Sequence, residues 1–250
     1  MKYYLRFFPI ILLFFFINAC KKDTIVNDML SIRSKATYGG SPLVFFQPLD
    51  YPQGFKIKFQ TVDIMIKGFN LSDANHIIHS SDSVFVLHFT NNDLATANSG
   101  INERFSVNDG NYNNLNFGIG VDSLINIKKP SDFPSSSVLS DSYYYWDAWS
   151  SYIFMKIEGS YDADGDGNYE GTFTYHTGKT GLNKVYNLPV NIVAKKAQIN
   201  EIVLNFDIKN ILAADGDYID LIKNPTSHKP ADLPILLKIF KHLDTAVSVN

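Results

Sequence analysis

The sequence holds one cysteine in 250 residues, Cys20, so no disulfide can form within the chain and the fold must rest on its own core. Three signatures of enzyme chemistry are also missing: a Gly-x-Ser-x-Gly elbow, a phosphate-binding loop and a His-Glu-x-x-His helix. With its only thiol at the N-terminus, the chain is expected not to be an enzyme. It has no basic excess either. Lys and Arg number 22 against 25 Asp and Glu, a net charge of −3, which offers nothing to nucleic acid. Its apolar run, Phe7 to Ile17, is too short to cross a hydrocarbon core of ~30 Å, which takes roughly 20 helical residues.

What precedes and follows that run gives it a different meaning. Lys2 and Arg6 come before it and Asn18-Ala19-Cys20 after it, the layout of a cleaved signal peptide over residues 1–19. Ile17-Asn18-Ala19-Cys20 resembles the lipobox of bacterial lipoproteins, in which the cysteine is acylated and becomes the new N-terminus. Cys20 is therefore expected to carry a lipid anchor, and acyl chains contributing ~0.8 kcal/mol per buried CH₂ would hold it firmly in a membrane. Lys21, where an aspartate would resemble an inner-membrane retention signal, points to the outer membrane. Removal of residues 1–19 takes away Lys2 and Arg6 and no carboxylate, so the net charge falls from −3 to −5. Residues 20–35 read as the lipidated cysteine and a polar tether, and residues 36–250 as one domain without internal repeats.

Strand patterns dominate that domain. Phe55, Ile57 and Phe59 alternate with Lys56, Lys58 and Gln60, and then Val62, Ile64 and Ile66 resume one position out of phase. A β-bulge near Gln60-Thr61 would return both runs to one face. Further strands are expected at Ser83 to Phe89, Leu115 to Val121, Tyr152 to Glu158, Gly171 to His176, Val185 to Val193 and Ile199 to Ile208. Many short strands with Gly, Asn, Asp and Ser between them predict an all-β fold, an antiparallel β-sandwich or barrel. Only the tail is helical in pattern, with Leu233, Leu236, Leu237, Phe240 and Leu243 at intervals of three and four.

The most chemically pointed stretch is Asp162-Ala-Asp164-Gly-Asp166-Gly-Asn168-Tyr-Glu170. Calcium takes six to eight oxygen ligands, and alternate aspartates on a loop curled by glycine aim carboxylates at one centre. Asp162, Asp164, Asp166 and Gly167 fit the first half of an EF-hand loop. The second half fails, because its twelfth position is Phe173 and both flanks read as strands. The expectation is a calcium-binding hairpin loop using Asp162, Asp164, Asp166, a backbone carbonyl of Asn168, and Glu170. A solvated acidic turn without an ion is the other reading.

Four blocks in order, Phe117-Gly-Ile-Gly-Val-Asp122, Trp146 to Trp149, Tyr152-Ile-Phe-Met-Lys-Ile-Glu-Gly159 and Thr172-Phe-Thr-Tyr-His-Thr-Gly178, resemble the methanobactin-partner-like (MbnP-like) family of exported copper-associated proteins. The resemblance continues through Val203 to Ile208 and Tyr218 to Leu221. It implies a β-sandwich and a copper site of histidine imidazoles and a tryptophan oxidised to kynurenine by a di-haem peroxidase-like partner. Imidazole suits copper, and kynurenine adds a carbonyl and an aromatic amine where indole offers no ligand. Carried over residue by residue, the resemblance points to His88, His176 and Trp146. The chain departs from the family at Tyr143-Tyr144-Tyr145, where a methionine is expected, at Trp149, displaced by one, and at Thr37 to Gly40, which lack a histidine.

The histidines also have plainer readings. One on a strand is commonly half-buried and bonded to backbone. His76 and His79 sit in what reads as a polar loop, and His228 and His242 lie in the tail without a companion. Two functions stay open. One is a copper-binding or copper-handling lipoprotein, favoured if histidines converge on Trp146. The other is a calcium-stabilised surface lipoprotein binding a glycan or protein, favoured if aromatics share an exposed face with the histidines scattered.

Overall fold

The computed structural model describes residues 28–73, 77–79, 83–195 and 198–250. The segment with the apolar run and Cys20 lies outside them, as do His76 and the side chain of His79. In chain order the principal strands are β1 (Asp28–Tyr38), β2 (Lys56–Ser72), β3 (Val84–His88), β4 (Ile101–Val107), β5 (Gly110–Ile119), β6 (Met155–Asp162), β7 (Gly171–Thr177), β8 (Lys184–Ala194), β9 (Ile199–Asp207) and β10 (Val247–Val249). The helices are α1 (Leu94–Ser99), α2 (Ser123–Asn126), α3 (Ile208–Leu212) and α4 (Leu233–Ala246).

These strands form two facing sheets. One runs β10-β9-β1 with β4 on the far edge of β1, and the other runs β7-β6-β2-β5-β8 with β3 on the other edge of β2. Apolar side chains alternate inward from both and meet in aromatic contacts, Tyr38 with Phe59 at 5.7 Å and Phe117 with Phe206 at 6.5 Å between ring centroids. The fold is thus the expected all-β sandwich, with one difference: β1 and β9 pair in parallel. Parallel neighbours need a long crossover, and the whole second sheet lies between these two strands in the chain.

The phase slip in the sequence is a bulge. Phe59 pairs with Gly159 and Thr61 with Glu158, leaving Gln60 unpaired and exposed, so Ile57, Phe59, Val62, Ile64 and Ile66 are all buried on one face. Gly159 sits opposite Phe59 because a Cβ there would overlap the Lys58 carbonyl oxygen and the Phe173 ring. The tether, expected to reach Lys35, gives way to β1 at Asp28. Its composition is polar, but Leu30, Ile32, Ser34 and Ala36 alternate inward while Arg33, on the other face, pairs with Glu201. In α4 the apolar stripe packs as expected at Leu236, Phe240 and Leu243, whereas Leu237 is half exposed.

One departure from a simple sandwich positions the functional site. Residues 120–154, between β5 and β6, fold over the outer face of the second sheet. The Gly120 amide donates to the Met65 carbonyl and the Met65 amide to the Phe154 carbonyl, at 2.9 and 2.8 Å. Asp122 caps α2 through the amides of Leu124 and Ile125 and pairs with Lys67 on β2. With this roof on one side and the sandwich core on the other, Val62 to Ile66 are buried without interruption, Asp63 and Met65 included.

Candidate metal centre

Under the roof, register lines up four polar side chains on successive strands: His88 (β3) opposite Asp63 (β2), Asp63 opposite Lys156 (β6), and Lys156 opposite His176 (β7). Directly opposed residues share a face. His88 donates from Nδ1 to Asp63 Oδ1 at 2.6 Å, and Tyr144 donates its hydroxyl to Asp63 Oδ2 at 3.3 Å. Burial, then the Asp63 charge, raises the Tyr144 pKa, which keeps it a donor. Asp63 is 1% exposed while the His88 side chain is 59% exposed, so His88 is an outward-facing ring with a buried carboxylate behind it. Lys156 is buried; its ammonium donates to the Tyr143 carbonyl at 2.9 Å and lies over that residue's ring. Burial lowers its pKa.

His88 and His176 are consequently not partners in one site. Three strand spacings separate them, roughly 14 Å at ~4.8 Å each, with Asp63 and Lys156 between. The sequence supplied two histidine-bearing strands but not the strand order.

His176 has another companion. After β9, α3 and a short hairpin, the chain returns along the free edge of β7, where Thr174 and Thr226 form a parallel bridge. The Thr174 amide donates to the Pro225 carbonyl at 2.7 Å, and Ser227 Oγ donates to the His176 carbonyl at 3.1 Å. His176 and His228 therefore stand side by side, ring centroids 5.0 Å apart, and Trp146 packs on both, 5.4 Å from His176 and 4.7 Å from His228. Trp149 fixes the backbone of the second histidine by donating its indole N–H to the His228 carbonyl at 3.1 Å. His228 has a companion after all, and one sequence signal pointed to it: Thr-x-His occurs at both 174–176 and 226–228.

The ring nitrogens of this pair define its chemistry. His176 Nε2 lies 2.5 Å from Glu158 Oε1, and that hydrogen bond holds the Glu158 carboxyl below its usual range, hence ionised and accepting. His176 Nδ1 and His228 Nε2 are both buried with no hydrogen-bond partner. Burial, then the neighbouring His176, lowers the His228 pKa, which favours the neutral, lone-pair form at neutral pH. Two orphaned imidazole nitrogens are a donor set that suits a transition metal, copper and zinc among them.

At the β6–β7 turn, carboxylate oxygens of Asp162, Asp164, Asp166 and Glu170 lie within 4.8 Å of one another. Asp162 is buried and accepts from the Gly165 and Gly167 amides at 2.8 and 3.0 Å. Glu170 accepts from the Ala163 amide, and Asn168 turns its side-chain amide onto Asp166. Phe173 points into the core against Phe59, so the twelfth position of an EF-hand loop is closed to an ion here.

A two-sheet β-sandwich with a histidine pair roofed by a tryptophan segment on its outer face defines the class of this protein. Residues 27–229 match the family model described as MbnP, and the chain belongs to that family. A solved structure, MbnP from Methylosinus trichosporium, is similar at 18% identity, covering 77% of this chain and 79% of that one with a TM-score of 0.46. No curated protein matches the chain.

Proposed function

We propose that this MbnP-family chain is an exported, lipid-anchored protein that binds copper between His176 and His228 beneath Trp146, with a calcium ion stabilising the hairpin at Asp162 to Glu170. The observation that carries the copper reading is the pair of buried, unpartnered nitrogens, His176 Nδ1 and His228 Nε2, on rings in contact with one indole. Leaving two such groups unpaired is costly in a finished fold, and a metal ion held by both rings would relieve them together.

His176 and His228 would hold the ion. Trp146 has no lone pair to add as indole, and oxidation to kynurenine by a di-haem peroxidase-like partner would give it a carbonyl and an amine. Copper bound here would supply a redox-active centre. The rest is the protein's work: Trp149 and Ser227 fix the two histidine backbones, and the 120–154 segment shields the group. Against the alternative of a glycan- or protein-binding lipoprotein without copper stands the convergence of histidines on Trp146, which is half-buried where an aromatic platform would be open. Cys20 would carry the lipid, placing the domain on the outer membrane.

The test is elemental analysis and peptide mass of protein purified from its native host. Near-stoichiometric copper, lost in His176→Ala and in His228→Ala, with a gain of mass on the Trp146 peptide, is the expected result. Unmodified tryptophan and no copper would refute the reading and leave a calcium-stabilised lipoprotein.

A further inference from the structure

Two carboxylates stand behind histidines under the roof, and they hold opposite ring nitrogens: Asp63 takes Nδ1 of His88, Glu158 takes Nε2 of His176. Only the second arrangement leaves a buried nitrogen without a partner. We infer that Glu158 is a positioning residue of the metal centre, fixing His176 as the Nε2–H tautomer and thereby presenting Nδ1 as its donor atom. The inference rests on the copper reading above and adds to it which atom binds and what aims it.

A neutral imidazole carries one proton, and an ionised carboxylate only accepts. At 2.5 Å from Glu158, Nε2 must therefore be the protonated nitrogen, and the lone pair falls on Nδ1. The reverse tautomer would set a lone pair against a carboxylate and bury an N–H with nothing to receive it. The residue that carries the carboxylate is fixed by strand register. The bulge at Gln60 seats Thr61 opposite Glu158 on β2, and Thr174 lies opposite it on β7. Glu158 and His176 lie on neighbouring strands with side chains 30% and 15% exposed, so little water competes for the bond. Carboxylates that orient a metal-binding imidazole in this way are worth about tenfold to a hundredfold in metal affinity.

The deciding experiment reads the tautomer without metal and the affinity with it. In ¹⁵N-labelled, metal-free protein, long-range ¹H–¹⁵N correlations of the His176 ring are expected to show Nε2–H. Glu158→Leu should mix the tautomers and weaken copper(II) binding, measured in competition with a chelator, by about tenfold to a hundredfold. Glu158→Gln, whose amide oxygen still accepts, should keep the wild-type tautomer and most of the affinity. An Nδ1–H tautomer in the wild type would overturn the inference. So would Glu158→Leu leaving tautomer and affinity unchanged while His176→Ala loses the metal. Copper binding undiminished in His176→Ala and His228→Ala would instead overturn the centre, and the tautomer would still decide whether Glu158 orients the ring.

Discussion

Thr174 and Thr226 are joined in a parallel bridge, and two residues beyond each stands a histidine whose ring touches the other's. The pair is thus built by backbone register on a sheet edge, with the second strand supplied by a tail segment more than fifty residues away in the chain. A tail held by few backbone bonds needs further fastening, and Trp149 supplies it from the roof.

Trp149→Phe keeps an aromatic ring but removes the N–H that the His228 carbonyl accepts. The expected cost is ~1 kcal/mol in stability, the usual worth of one such bond. Because the loss is local to His228, copper affinity should also fall. Chemical denaturation and chelator competition on the same variant check both. A loss of stability with unchanged affinity would mean that the tail is held well enough without it.

The metal-free protein should lose stability on mild acidification, and His228 should account for part of the loss. Burial and His176 hold its folded pKa below the ordinary 6.5. Above that value the ring is neutral folded and unfolded and contributes no pH dependence. As pH falls through it, the unfolded chain takes up the proton first and the folded state loses ground until its own lower pKa is passed. Urea midpoints compared between roughly pH 7.5 and pH 5.0 should therefore fall further for wild type than for His228→Asn. Equal falls would assign the acid sensitivity to other groups.

Gly159→Ala should destabilise the fold by at least ~2 kcal/mol, because a Cβ at 159 collides with the Lys58 carbonyl, which is backbone and cannot swing aside. For a chain of this size that is roughly 4–8 °C in Tm. Gly110→Ala is the control, since this strand residue has no positive φ and a Cβ there meets only ordinary contacts, 3.6 Å and more from the Tyr112 ring. Similar melting temperatures for the two variants would refute the collision.

These residues also show what a sequence can and cannot disclose. The slip in alternation between Phe59 and Val62 announced the bulge, because burial of one face leaves no other way to absorb an extra residue. The pairing of Trp146 with His176 came from family resemblance, and nothing in local pattern would have produced it. His88 looked equivalent to His176, since both are strand histidines, and only the strand order places three spacings between them. His228 escapes the sequence for the complementary reason. It lies outside regular strands, and its neighbour is set by a tertiary bridge that no local periodicity records. Residues 20–35 read by composition as tether, although from Asp28 the alternation of Leu30, Ile32 and Ser34 is that of a strand.

Calcium should raise the stability of the β6–β7 hairpin, and two of its aspartates should respond differently when changed. Four carboxylates within 4.8 Å repel one another, and a divalent cation removes that repulsion. Extracellular calcium modules have dissociation constants of roughly 0.1–1 mM, so ~10 mM calcium lies about ten- to a hundredfold above them. The corresponding gain is about 1.4–2.7 kcal/mol, reversed by a chelator. Asp162 is buried and already occupied with the Gly165 and Gly167 amides, so Asp162→Asn should cost stability even without the ion. Asp164 is exposed and accepts one amide, from Asp166 at 3.2 Å, so Asp164→Asn should relieve repulsion in the metal-free protein and abolish most of the calcium increment. Thermal melts of the three proteins with calcium, magnesium, and sodium chloride at matched ionic strength separate binding from screening. If all three salts stabilise alike, the loop is a solvated acidic turn, and the oxygens brought together there hold no ion.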